Sequence, residues 1–226
     1  EKGGKIIHFK QAFHGRTGYT LSLTNTSDPR KTMYFPKFDW PRIDIPKLSF
    51  PITDIVLEEV KKNENIAIAQ IKSALENNQD DVAALIIEPI QGEGGDNHFR
   101  DEFFVALRQL CDENEMLFIM DEVQTGIGIT GKWWAHQHFS VKPDIISFGK
   151  KTQVCGLLAG KRIEEVENNV FSESSRINST FGGNLADMVR FHIILEIMEK
   201  ENLPKNAKNM GDFLLGELEN LAEEFP

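Results

Sequence analysis

Two apolar segments of the sequence each run into a residue type that is costly to bury without a partner. Residues 116–120 are followed by Asp121, and residues 144–149 are followed by Lys150. In an open parallel sheet the carboxyl ends of the strands line the ligand crevice, so we expect this carboxylate and this amine to meet there. A structural ion pair at the sheet edge would leave the same pattern.

A carboxylate and a primary amine around one small volume suit a pyridine aldehyde cofactor. The ring nitrogen of such a cofactor needs an anionic partner, and its carbonyl carbon forms a Schiff base with an amine. Asp121 would be the anion, and Lys150 the amine that also moves protons during catalysis. Lys151 is the rival amine. Because side chains alternate along a strand, we expect the two lysines to point to opposite faces, with Lys150 facing the site.

Composition limits the class of protein. The chain has 226 residues, of which 40% are hydrophobic and 27% charged, enough for one domain with a substantial core. Its net charge of -10 disfavours nucleic-acid binding, and no apolar run approaches the roughly 18 residues of a membrane span. Cys111 and Cys155 lack the spacing of a zinc site or a redox pair, so we expect a cytoplasmic protein without a metal.

Strand-like apolar runs alternate with helical patterns along the chain. The predicted strands are residues 5–9, 83–90, 116–123, 144–148 and 157–159; the predicted helices are residues 66–75, 101–114, 184–200 and 206–224. This alternation predicts an α/β fold, a mainly parallel sheet with helices on both faces. Five prolines interrupt residues 25–65, which we expect to be an irregular, aromatic-rich excursion over the surface.

A competing motif points to nucleotides. Residues 126–132 match the G-x-x-x-x-G-K core of a phosphate-binding loop and follow a predicted strand. Trp133 stands where Ser or Thr must place a hydroxyl on magnesium, and it is a poor opening for the helix that should cradle phosphate. A nucleotide-binding protein is therefore the distant alternative.

Five blocks of sequence resemble one enzyme family, the class III pyridoxal-phosphate aminotransferases. Residues 120–126 (MDEVQTG) resemble its aspartate motif, and Lys150, 29 residues after Asp121, follows a segment that resembles the strand before its Schiff-base lysine. The other blocks, in the expected order, are residues 13–16, 87–95 and 178–184. The resemblance implies a fold-type I large domain. Residues 1–226 would be most of that cofactor-binding domain, and the N-terminal segment and C-terminal small domain would lie outside the chain.

The resemblance also implies contacts with pyridoxal 5'-phosphate. Asp121 would pair with the ring nitrogen, and Lys150 would hold the aldehyde carbon. Gln124 would reach the phenolic oxygen, and Val123 and Phe13 would cover the two ring faces. By itself each of these residues could equally be a strand cap, a loop residue or part of the core.

Three further contacts follow from the same blocks. His14 would belong to the cofactor site, and Glu88 would orient that site. Thr180 would reach the cofactor phosphate of a neighbouring subunit, which implies a homodimer.

The substrate is also an expectation from resemblance. Residues 148–156 and 13–20 resemble the branch of the family that moves the ε-amino group of L-lysine to 2-oxoglutarate, giving 2-aminoadipate 6-semialdehyde and glutamate in a ping-pong reaction. Arg16 would hold the substrate α-carboxylate, Asn178 would contact the substrate, and Glu93 would mask or release an arginine outside this chain. Another ω-aminotransferase, acting on ornithine or 4-aminobutyrate, is the alternative.

Overall fold

Six strands form one mixed sheet in the order β2-β1-β3-β4-β5-β6 in the computed structural model, which describes residues 2–177, 180 and 182–225. The strands are β1 (Lys5–Phe9), β2 (Arg42–Ile43), β3 (Val82–Ile87), β4 (Leu117–Asp121), β5 (Ile145–Phe148) and β6 (Gly156–Ala159). The first five are parallel, and β6 runs antiparallel to β5. The predicted α/β class with a mainly parallel sheet is confirmed.

Five helices accompany the sheet in the described part of the chain. They are α1 (Gly18–Leu23), α2 (Asp54–Asn77), α3 (Asp101–Glu113), α4 (Leu185–Lys200) and α5 (Leu203–Glu224). No helix among the described residues is long and apolar enough to cross a membrane.

The prediction that residues 25–65 carry no helix is wrong in its last part, because α2 begins at Asp54. The last proline of that region is Pro51, and Thr53 then caps the helix by accepting a hydrogen bond from the Val56 amide at 3.3 Å. A threonine N-cap followed by an acid in the first turn is a start signal for a helix.

One face of the sheet is apolar and packs against α2 and α3. Its buried side chains alternate along the strands; they are Ile7, Phe9, Leu85, Ile87, Phe118 and Met120. The helices contribute Ile71, Phe103 and Leu107 to the same cluster. Burial of each large side chain stabilises the fold by roughly 1.5–3 kcal/mol, so this layer fixes the positions of β1, β3 and β4.

The carboxyl ends of four neighbouring parallel strands lie along one edge of the sheet. Asp121 is the last residue of β4, and it pairs in register with Ser147 of β5. Lys150 comes two residues after the end of β5, and Glu88 comes directly after β3. The prediction that Asp121 and Lys150 share this edge is confirmed.

Candidate active site

A cavity of about 220 Å³ opens at this edge. Its wall is formed by Phe13, His14, Gly15, Glu88, Glu93, Asp121, Val123, Gln124 and Lys150. Pockets for drug-sized ligands measure roughly 300–1,000 Å³, so this one suits a single small ring. A larger cavity of about 900 Å³ includes Val82, the first residue of β3, and so lies at the opposite edge, away from the usual ligand crevice.

Asp121 is a buried carboxylate with three hydrogen-bond donors. His14 Nδ1 donates to its Oδ2 at 2.8 Å, while Ser147 Oγ and the Val123 amide donate to its Oδ1 at 2.8 and 3.1 Å. Burial alone would raise the pKa of Asp121, but the His14 hydrogen bond and charge, together with the other two donors, outweigh burial and lower it. Asp121 is therefore an anion at neutral pH.

His14 is held by both its backbone and its ring. Its amide donates to Thr24 Oγ1 at 3.0 Å, and the same hydroxyl donates to the Gly15 carbonyl oxygen at 2.7 Å. Gly15 has a φ of 123°, and a Cβ there would lie 2.5 Å from Thr20 Oγ1, so only glycine fits this turn. Among the described residues, the buried His14 Nε2 has no hydrogen-bond partner.

Glu88 is a second buried carboxylate, and it joins two segments of the wall. Its Oε1 accepts from the Phe13 amide at 2.8 Å, and its Oε2 accepts from the Gly92 amide at 3.3 Å. Burial raises the pKa of Glu88 above its ordinary value. We refer to His14, Glu88 and Asp121, the buried titratable residues of the cavity, as the cavity floor.

Two lysines meet at Gln124. Lys150 Nζ donates to the Gln124 side-chain oxygen, and Lys151 Nζ donates to the Gln124 carbonyl oxygen at 2.6 Å. The prediction that strand alternation separates the two amines is wrong, because β5 ends at Phe148 and residues 150–152 form a 3-10 turn. Lys150, whose φ is 54°, lines the cavity and Lys151 does not. Burial and the Lys150 charge lower the pKa of Lys151.

The exposed side of the cavity carries an ion pair. Glu93 lines the wall, and its Oε1 lies 2.8 Å from Lys31 Nζ. We refer to Lys31 and Glu93 as the cavity rim. The predicted substrate residue Arg16 is exposed beside Gly15 and makes no side-chain hydrogen bond or ion pair with any described residue. Its assigned role therefore stays a prediction.

Two other predicted residues lie in the block at 178–184. Asn178 falls outside the described residues. Thr180 is exposed, and its proposed reach to a neighbouring subunit stays a prediction.

Sequence reasoning missed three residues around the cavity. Ser147 interrupts the apolar run of β5 directly opposite Asp121, so its polarity in that strand was an available signal. Glu122 is fully buried and accepts from the Ala135 and His136 amides at 2.9 and 2.7 Å. No sequence pattern pointed to Lys31, because its partner, Glu93, is 62 positions away along the chain.

The glycine-rich loop at residues 126–132 does not open a helix. It leads into a short 3-10 turn, Ala135–His138, and Lys132 Nζ donates to the Gln137 carbonyl oxygen at 2.6 Å. A phosphate-binding loop needs the N-terminus of a helix behind it. The nucleotide-binding alternative therefore loses its structural support.

The cavity fits a pyridine aldehyde cofactor. It combines an anion, Asp121, with the primary amine of Lys150, and its wall includes the apolar side chains of Phe13 and Val123. These groups match the ring nitrogen, the carbonyl carbon and the two faces of such a ring.

Comparisons with known proteins agree with this geometry. The family described as "Aminotransferase class-III" matches residues 1–225. The L-lysine-epsilon aminotransferases of Mycobacterium tuberculosis and Amycolatopsis lactamdurans are 53% and 50% identical to this chain over 99% and 98% of its length. A 4-aminobutyrate aminotransferase of Emericella nidulans is 37% identical over 98% of the chain, and the match covers 43% of that relative.

A solved structure of a lysine aminotransferase is also similar to this chain. The lysine aminotransferase of M. tuberculosis in the internal aldimine form superposes with a TM-score of 0.94 at 53% identity, covering 100% of this chain and 51% of that one. The chain covers 49% of each of the two lysine relatives, so it spans about half of their length.

Proposed function

Because the chain belongs to the class III aminotransferase family, whose cofactor is pyridoxal 5'-phosphate, we propose that it transfers the ε-amino group of L-lysine to 2-oxoglutarate. The products would be 2-aminoadipate 6-semialdehyde and glutamate. One observation carries the proposal: a buried carboxylate anion, Asp121, and the amine of Lys150 line a single small cavity.

The bound cofactor would supply an electron sink for the negative charge that develops at the substrate carbon when its proton leaves. The residues of the chain supply everything around it. Asp121 would bind the ring nitrogen as an anion, with its orientation fixed by His14, Ser147 and the Val123 amide. Because Asp121 is ionised at neutral pH, it favours a protonated ring nitrogen.

Lys150 would anchor the cofactor and, once released, hold and move a proton at Nζ. Its left-handed backbone conformation directs the amine towards Gln124 and the cavity. Proton transfer by a positioned side chain typically contributes roughly 10²–10⁴-fold to a rate. Phe13 and Val123 would exclude water and order the ring.

The remaining assignments belong to the same proposal. Arg16, Glu93 and Asn178 would contact substrate, and Thr180 would reach the cofactor of a second subunit in a homodimer. The chain would form most of the large cofactor-binding domain of a longer polypeptide. We also propose a cytoplasmic location, with Cys111 and Cys155 as free thiols.

Lysine is favoured as donor because the lysine relatives are more similar to this chain than the 4-aminobutyrate relative, at 53% against 37% identity. The test is a set of assays of the protein supplied with cofactor and 2-oxoglutarate, using lysine, ornithine or 4-aminobutyrate as donor. Lysine should give the highest kcat/KM, with its product trapped as the cyclic imine. A higher value for ornithine or 4-aminobutyrate would overturn the donor, and no glutamate from any donor would overturn the proposed function.

A further inference from the structure

The cavity rim adds a positive charge, Lys31, to a cavity wall that is mostly acidic. Three carboxylates line the wall (Glu88, Glu93 and Asp121), against a single lysine, Lys150. Asp121 is tied to His14, and Glu88 accepts only from backbone amides. Glu93 is the remaining acid, and Lys31, from a distant part of the chain, is its partner.

Glu93 is placed at the rim by a turn that approaches other segments very closely. A Cβ on Gly94 would lie 2.2 Å from the Gln11 carbonyl oxygen, and one on Gly92 would lie 2.8 Å from Gln124 Cγ. The turn is therefore packed against the segment after β1 and against the side chain of a cavity residue. These contacts fix the backbone of Glu93 relative to the cavity.

Local structure makes Lys31, rather than the neighbouring Arg30, the cation that contacts Glu93. Lys31 ends a 3-10 turn, Pro29–Lys31, and Asp28 caps that turn by accepting from the Arg30 amide at 3.1 Å. Asp28 also accepts from Arg30 Nε and Nη2 at 2.9 and 3.0 Å. Arg30 is therefore paired with Asp28 of its own turn, whereas Lys31 contacts Glu93 of the cavity wall.

We propose that Lys31 is a specificity-determining residue that binds a carboxylate of the dicarboxylate acceptor while neutralising Glu93. An ammonium group has three N–H donors, and Glu93 is the single hydrogen-bond partner that the described residues give the Lys31 Nζ. The other N–H groups can donate to a substrate carboxylate without breaking the pair. The inference rests on the proposed function, because it assumes that a dicarboxylate enters this cavity.

Charge explains why the two substrates should respond differently to loss of Lys31. Once Glu93 has released the arginine that the family resemblance implies, loss of Lys31 would leave Glu93 as an unpaired negative charge facing the entering acceptor. That charge repels a dicarboxylate such as 2-oxoglutarate, whereas lysine carries an α-ammonium group beside its α-carboxylate, so attraction and repulsion largely cancel. Removal of Lys31 should therefore weaken acceptor binding and leave donor binding almost unchanged.

The test compares Lys31→Met with Lys31→Arg and with Arg30→Met, a matched control that removes the adjacent cation. Calorimetry measures the Kd of glutarate, an unreactive dicarboxylate, for each cofactor-loaded protein. Kinetics then give kcat and a KM for each substrate. Lys31→Met should weaken glutarate binding about tenfold and raise the KM for the keto-acid acceptor similarly, because it removes a charge-assisted hydrogen bond. We expect kcat and the KM for lysine to stay within about twofold, and Lys31→Arg and Arg30→Met to behave like the wild type.

Two further conditions sharpen the test. The effect of Lys31→Met on glutarate should shrink at high salt and in a Glu93→Gln background, because both reduce the repulsion by Glu93. The inference is overturned if Lys31→Met and Arg30→Met bind glutarate equally well, or if Lys31→Met lowers kcat and leaves both KM values unchanged. Failure of the proposed function is a different result, in which the wild type binds glutarate but transfers no amine from lysine.

Discussion

The cavity floor and the cavity rim are built in different ways. In the floor, Asp121 has three donors from three segments, and Glu88 accepts from two backbone amides. In the rim, Lys31 and Glu93 share one contact, with 41% and 30% of their side chains exposed. Loss of a buried partner leaves an unsatisfied polar group, whereas exposed ion pairs contribute little to stability. The floor is suited to a resident cofactor and the rim to substrates that exchange.

The largest effect should come from Lys150→Ala. Without the amine the cofactor has no covalent anchor and the substrate proton has no acceptor, so we expect kcat to fall by about 10³-fold or more. Steady-state assays with lysine, together with the visible absorbance of the bound cofactor, measure this loss. Lys151→Met is the control and should keep both signals. The opposite pattern would assign the chemistry to Lys151.

The next largest effect should come from Asp121→Asn, which keeps the shape of the side chain and removes its charge. We expect kcat/KM to fall by roughly 10²–10³-fold, because a preorganised charge beside the reacting ring is lost. Asp144→Asn is a matched control: Asp144 is also a partly buried carboxylate, 2.8 Å from Arg108, but it does not line the cavity. If both variants lower kcat/KM of the folded protein equally, the assigned role of Asp121 is wrong.

A buried histidine outside the cavity, His8, gives a pH test of how strongly burial of a titratable group affects stability. Burial and the nearby Arg42 charge lower the pKa of His8 from 6.5 to about 4, and Arg42 Nε donates to His8 Nε2 at 3.0 Å. The unfolded chain therefore binds a proton at higher pH than the folded chain does. Stability should fall as pH falls from 6.5 to about 4, by roughly 3 kcal/mol over the window.

Urea unfolding of the wild type and His8→Gln at several pH values measures this contribution. Glutamine can still accept from Arg42 but does not titrate, so the difference in unfolding free energy isolates His8 from the carboxylates. We expect the wild type to lose more stability than the variant below pH 6.5. Parallel curves would show that His8 titrates equally in both states.

The smallest effect should come from the rim. Glu93→Gln removes one member of an exposed ion pair, so we expect the unfolding free energy to change by less than about 1 kcal/mol. Urea unfolding at pH 7 measures it, with Arg30→Met as a second exposed control. A change as large as that of a buried carboxylate would show that the rim is part of the rigid structure.

The sequence predicts the parts of the site that depend on local pattern. Apolar runs locate β4 and β5, and the geometry of parallel sheets then brings Asp121 and Lys150 to one edge. The prediction that Lys150 and Lys151 point to opposite faces was wrong because apolar periodicity does not reveal that β5 ends at Phe148. The start of α2 was missed because the prolines of residues 25–51 outweighed the capping signal at Thr53.

Contacts between distant segments could not be predicted. The Lys31–Glu93 pair joins residues 62 positions apart, and the His14–Asp121 hydrogen bond spans 107 positions. Neither pair has a spacing rule, since both depend on how the segments after β1 and β3 turn over the sheet edge. The family resemblance identified His14 as a site residue, but it did not identify Asp121 as the hydrogen-bond partner of His14.

Borohydride reduction of the cofactor-loaded protein, followed by peptide mass mapping, tests the role of Lys150 most directly. Reduction fixes the cofactor permanently to the lysine that holds it. We predict one modified peptide, with the added mass on Lys150 and none when lysine is first supplied to discharge the site. Modification of Lys151 alone, or of scattered surface lysines, would contradict this assignment.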